Sequence, residues 1–144
     1  MGSSWELPRF WSNSRSNNIV GEGEENMQYL LMCYFSEDLW SKIPEAERDK
    51  IMQEYQELIQ ETKKSGYHRD GAMLGPSIAA TTVRTRNGKP FVTDGPFAET
   101  KEQLGGYHLM ECKDLDEVIS IALRIPTLRF GGTIEVRAVE LSEK

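Results

Sequence analysis

Apolar positions recur along this chain with two different periods. Gln28–Phe35 (QYLLMCYF) is almost continuously apolar, which predicts a strand covered on both faces. Tyr29, Leu31, Cys33 and Phe35 share one face and Leu30, Met32 and Tyr34 the other, so a second covering layer such as a partner subunit is expected. Ile51, Met52, Tyr55, Leu58 and Ile59 recur at spacings of three and four, the buried stripe of a long helix from Pro44 to about Lys64. Pro44 suits the first helical position, Glu45 and Glu47 the positive end of the dipole, and Gly66 the position just past the end. Ser36–Ile43 reads as a connection anchored by Trp40. Tyr67–Ala79, punctuated by Gly71, Gly75 and Pro76, reads as irregular.

Thr81–Arg86 and Lys89–Thr93 are joined by Asn87-Gly88, the signal of a type I′ hairpin turn. Pro90 stands opposite Thr85 and cannot donate a ladder bond, so the hairpin is expected to be an edge or a protruding ribbon. Gly106–Cys112 is a further strand. Asp114-Leu115-Asp116-Glu117 is a capping box opening a second helix, with Leu115, Val118, Ile119, Ala122 and Leu123 on one face and Pro126 at its end. Thr133–Leu141 is the last strand, with Ile134, Val136 and Ala138 on one face. The order is strand, long helix, hairpin, strand, helix, strand. With one hairpin strand set aside, this is an α+β, ferredoxin-like βαββαβ plan carrying an extra β-hairpin. Its antiparallel sheet has helices on one face only, and two such sheets face to face would form a dimeric α/β barrel.

Composition narrows the class. A chain of 144 residues is enough for one domain with its own core. The net charge of −6 weighs against direct nucleic-acid binding, which needs a basic face. No apolar run approaches the ~20 residues of a membrane helix, and no hydrophobic leader opens the chain, so the cytoplasm is the expected location. Cys33 and Cys112 sit in apolar runs and read as reduced core thiols. Two His and two Cys at no ligand spacing predict no metal site, and no intrinsic cofactor is expected. Residues 1–26 hold two polar, turn-rich runs without periodicity and are expected to be a poorly ordered extension, with Trp5, Phe10 and Trp11 as its aromatic exceptions. The domain proper is expected over residues 27–144.

Special backbone positions are densest over Thr93–Leu109. Asp94-Gly95-Pro96-Phe97 is a turn, Glu99-Thr100-Lys101-Glu102 a charged segment, and Gly105-Gly106 the start of a strand. Asp94-Gly95-Pro96-Phe97-Ala98-Glu99-Thr100-Lys101-Glu102-Gln103-Leu104-Gly105-Gly106-Tyr107 resembles the signature of the YCII-related, DGPF-domain family. The flanks agree at Met27–Met32, Thr81–Arg84, Asp114–Glu117 and Gly132–Arg137, so the resemblance covers roughly residues 27–141. It implies a homodimer of ferredoxin-like subunits and a small-molecule pocket between the sheet and the first long helix, near the dimer interface. The wider group is regarded as enzymes with a His–Asp pair in that pocket. The resemblance implies Asp94 as the carboxylate, whereas the helix position of the His falls near Tyr55 in Ile51-Met52-Gln53-Glu54-Tyr55. DGPF proteins also resemble modules encoded with, or fused to, extracytoplasmic-function sigma factors. That implies an alternative role as a non-catalytic binding or regulatory module with a sigma factor as partner.

The residues themselves admit both structural and chemical readings. Asp94 is an Asx-turn residue bonding its own backbone, a partly buried carboxylate acting as general base, or both. Glu99, Lys101 and Glu102 alternate in sign like a solvated face, with Lys101 the residue that would instead hold an anionic ligand. Gly105 and Gly106 permit a bulge or tight strand start, or let a ligand approach the backbone. His108 shares a strand face with Met110 and Cys112, where a lone His is ordinarily structural, yet it is the imidazole nearest the loop in sequence. His68, after the first helix, is a second candidate for the same cleft. Tyr55 and Tyr34 read as core or interface aromatics, and a Tyr hydroxyl is also a donor to a developing anion. No G-x-G-x-x-G motif and no Ser/His/Asp or Cys/His nucleophile spacing is present. The expectation is acid–base chemistry on a small molecule. Asp94, His108 and Tyr55 are the catalytic candidates, and His68, Lys101, Gly105 and Gly106 the ligand-binding ones.

Overall fold

The structure, a computed structural model, describes residues 25–140. Trp5, Phe10 and Trp11 and nearly all of the expected extension lie outside the described residues. Six strands form among the described residues, β1 (Met27–Phe35), β2 (His68–Met73), β3 (Thr81–Arg86), β4 (Lys89–Asp94), β5 (Gln103–Cys112) and β6 (Thr133–Ala138). The helices are α1 (Glu37–Ser41), α2 (Glu45–Lys64) and α3 (Leu115–Ala122), with short 3-10 turns over Ser77–Ala79 and Pro126–Phe130.

Four strands make one antiparallel sheet in the order β2-β5-β1-β6, the ferredoxin-like arrangement. The second strand of that plan is not half of the hairpin. It is β2, in the segment whose glycine and charged residues read as irregular, and the whole β3–β4 hairpin is the insertion. His68-Arg69-Asp70-Gly71 has no strand-like pattern of its own. Pairing with β5 makes it a strand, across a register shift between His68 and Asp70. The β3–β4 pair stands as a separate two-stranded sheet with Pro90 opposite Thr85, as the proline predicts. Nearly all of its residues are exposed.

The core lies between the sheet and the two longer helices. Tyr29, Leu31 and Cys33 of β1, Met110 and Cys112 of β5, Leu58 of α2, and Val118, Ile121, Ala122 and Ile125 from α3 onward form one buried cluster. Leu30, Met32 and Tyr34 face away from the helices and are half-buried. Helix α2 runs over the predicted span, with Pro44 as N-cap, Ser65 as C-cap and Gly66 at φ 86°. Thr62 joins its buried face by donating its hydroxyl to the Leu58 carbonyl. Ser36 caps α1, a short helix where only a connection was expected.

The face that α3 buries overlaps the expected one only in part, at Val118 and Ala122. Val118, Ile121 and Ala122 are buried, whereas Leu115, Ile119 and Leu123 are exposed. An apolar helix offers two overlapping stripes, and its packing against β5 decides between them. The Asp114 carboxylate accepts from the Glu117 amide at 2.9 Å. The Glu117 side chain accepts from the Lys113 amide at 2.8 Å and from the Tyr67 hydroxyl at 3.3 Å. The first two bonds cap the helix, and the Tyr67 bond ties its first turn to the segment before β2. Ile121→Ala is expected to cost about 2–5 kcal/mol of unfolding free energy, and Leu123→Ala to stay within about 0.5 kcal/mol, as read by urea denaturation. Equal costs would mean that α3 is rotated differently.

Candidate active site

Four polar side chains from four elements meet between α2 and the inner face of the sheet. The Tyr55 hydroxyl, midway along α2, lies 2.6 Å from His108 Nε2 on β5. His108 Nδ1 lies 3.0 Å from Nε2 of His68, the first residue of β2. On the other side, Cys33 Sγ of β1 lies 3.4 Å from the Tyr55 hydroxyl. Two proton arrangements satisfy the three contacts of this chain, while His68 Nδ1 is buried without a hydrogen-bond partner. In one, Cys33 donates to Tyr55, Tyr55 to His108 and His108 to His68. In the other, every donor and acceptor exchanges role.

Local structure explains how the chain assembles. Gly66 turns the backbone out of α2, and the Tyr67 amide bonds back to the Thr62 carbonyl, so His68 starts β2 beside the helix end. The register shift after His68 turns its ring toward β5. Gly71 sits opposite His108, where a Cβ would lie 2.7 Å from His108 Nδ1 and 3.0 Å from His68 Nε2. Only glycine leaves room for the two rings to meet. This requirement was not visible in the sequence, where Gly71 read as loop punctuation.

Burial sets the electrostatics. His108 and His68 are both buried. Desolvation, with His68 as the second cause, pushes the His108 imidazole down to about 4. Desolvation, then Lys63, holds His68 below its ordinary value. Burial pushes the Tyr55 phenol well above its usual range and raises the Cys33 thiol. All four groups are therefore neutral near pH 7. Among the described residues, no group of three or more His, Cys, Asp or Glu is placed to hold a metal ion.

A cavity of about 210 Å³ opens beside this chain. Phe35, Trp40, Met52 and Met73 wall it, together with Cys33, Tyr55, His108 and Thr127. Trp40 and Phe35 meet edge to face, with ring centroids 6.0 Å apart. A larger, shallower groove of about 570 Å³ lies under the root of the hairpin, lined by Tyr34, Pro76, Phe97 and Glu102 among others. The smaller cavity is the better candidate, because convergent polar groups with shifted pKa values distinguish sites more than volume does.

The structure thus brings Tyr55, His108 and His68 together. Gly105 and Gly106 also line the cavity, but their missing side chains serve packing. A Cβ on Gly105 would overlap the Phe35 ring, and one on Gly106 would lie 2.9 Å from the Ala72 carbonyl oxygen. Asp94 and Lys101 are exposed and line neither depression. Cys33, Trp40 and Thr127 are lining residues that sequence reasoning did not single out as functional. Only Trp40, an aromatic alone in a polar connection, carried a signal there.

Comparison with known proteins gives a family and a relative for the chain. The YCII-related domain family matches residues 27–142. The chain is 35% identical over 116 residues to an uncharacterised protein of Rhizobium meliloti (strain 1021), covering 80% of this chain and 94% of that protein.

The depressed imidazoles have a consequence for stability. Between pH ~6.5 and about 4 the unfolded chain binds a proton that folded His108 refuses. Stability is therefore full above pH ~6.5 and declines as the pH falls toward 4, with His108 contributing about 2 kcal/mol of that loss by pH 5. Urea denaturation at pH 7.5 and pH 5 is expected to show a smaller loss in His108→Gln than in the wild type. Equal losses would mean that His108 is not buried as a neutral base.

Proposed function

The chain belongs to the YCII-related family, and we propose that it acts as a small-molecule enzyme that relocates a proton within an uncharged, mostly apolar ligand. The observation that carries this reading is the 2.6 Å contact between Tyr55 and His108 at the wall of an apolar cavity. A tyrosine hydroxyl bonded to an imidazole can take a proton from one ligand atom and return it to another. The ligand loses and regains one proton, and the residues end as they began. His108 accepts the proton transiently through Tyr55, and His68 behind it holds the ring in place. No formal charge lines the cavity to stabilise a lasting ion, which favours such relocation over net proton removal.

Asp94 has no part in this reading within one subunit, because it is exposed on the hairpin. A thermal-shift screen with uncharged metabolites is expected to yield a stabilising ligand. Tyr55→Phe and His108→Gln should each weaken its binding at least ten-fold, and Asp94→Asn should leave it unchanged. A ligand that binds Tyr55→Phe and His108→Gln as tightly as the wild type would sink the assignment.

The same reading includes a homodimer. Leu30, Met32, Tyr107 and Leu109 lie side by side on the sheet face away from the helices, an apolar surface suited to a second sheet. Light scattering at micromolar concentration should give twice the chain mass, and Leu30→Asp with Leu109→Asp should halve it. A monomeric wild type would overturn the dimer.

A further inference from the structure

Helix α3 leaves an apolar flank open to solvent. Leu115 and Ile119, one turn apart on that flank, are 50% and 40% exposed. They point away from α2, because Glu117 and Arg124 on the opposite flank reach Tyr67 and Glu61. Helix α2 packs toward β2 at one edge of the sheet, so Leu115 and Ile119 face the other edge, β6. The helix-facing side of β6 is thinly covered. Val136 is half-buried, and Ala138, paired opposite the buried Tyr29, is exposed. An apolar strip therefore runs between α3 and β6.

The chain enters the fold at one end of this strip. Met27 pairs with Cys112, three residues before Leu115, and the Val139 amide, just past Ala138, donates to the Gln28 carbonyl at 2.8 Å. Met27 shares the helix-facing side with Tyr29 and Leu31 and is 46% exposed. Residues 1–24 thus join the domain between the start of α3 and the end of β6. They consist mostly of Ser, Asn, Gly and Glu, yet they hold Trp5, Phe10 and Trp11. Trp11 stands sixteen residues before Met27. That length reaches up to about 50 Å when extended, whereas Leu115 and Ile119 are about 6 Å apart along the helix axis. An aromatic side chain can bury roughly 150–250 Å² of surface, enough for two of them to cover such a strip. The family match begins at residue 27, so the segment is an addition to the shared domain. The sheet face proposed for the homodimer is the opposite one, and a second copy seated there leaves this strip open.

We propose that the chain's own leading segment covers this strip, with Phe10 and Trp11 seated on Leu115, Ile119 and Ala138. Tryptophan fluorescence of the full chain tests it. Trp5→Phe with Trp40→Phe leaves Trp11 as the sole tryptophan. Acrylamide is expected to quench it about three-fold less in the folded protein than in the urea-unfolded chain. Adding Leu115→Ser and Ile119→Ser should abolish that protection while a cooperative urea transition is retained, and Leu115→Ser alone should give a milder form of the same loss. Val92→Ser, on the remote hairpin, should leave the protection intact. Quenching of Trp11 as strong in the folded protein as in urea overturns the inference. Protection that survives the loss of both Leu115 and Ile119 also overturns it, because the segment then sits elsewhere. Protection that fades on ten-fold dilution assigns the contact to a second copy and overturns the intramolecular cover.

Discussion

The contact between Tyr55 and His108 joins the helical layer to the sheet, and much of the interior is arranged around it. Tyr55 comes from α2 and His108 from β5, while His68 and Cys33 extend the chain to β2 and β1. A polar group buried without its partner is costly, so loss of any one member of the chain strands its neighbour. The glycine opposite His108 belongs to the same unit, because a side chain there would separate the two imidazoles. The bulge in β2 and the glycine after α2 are the backbone features that bring His68 within reach.

Neutrality is the second constraint. The Tyr55–His108 chain holds titratable groups with their charged forms suppressed by burial, while the ion pairs of α2 lie outside on exposed arginines and glutamates. Such exposed pairs contribute little to stability individually. Their geometry matters more here, since they fasten the segment after α3 to the helix that walls the cavity.

The Asp94–Tyr107 stretch has a structural part in this arrangement. Gln103 accepts from the Glu37 amide at 2.9 Å and donates to the Thr100 carbonyl at 2.6 Å. The Glu37 carboxylate in turn accepts from the Ser77 amide at 2.9 Å and the Ser77 hydroxyl at 2.6 Å. These bonds gather the start of β5, the loop after β2 and the short helix that carries Trp40. The charged stretch therefore braces a wall of the cavity, although its own Asp94 and Lys101 stay in solvent.

Periodicity and punctuation alone determined most of the scaffold. The continuous apolar run of β1, the three-four stripe of α2, the Asn87-Gly88 turn, the stranding of Pro90 and the Asp114 cap are each local, and each was legible in the sequence. The pairing of His68 with His108 was not, because β2 is a strand only through its bonds to β5 and its polar residues carry no period. The same holds for the buried face of α3, chosen by its packing on β5, and for the exposure of Asp94, decided by where an inserted hairpin projects. The sequence brought Tyr55, His68 and His108 forward as separate candidates. Tertiary structure made them one chain, because hydrogen bonds between residues 40 and 53 positions apart depend on packing that no local pattern encodes.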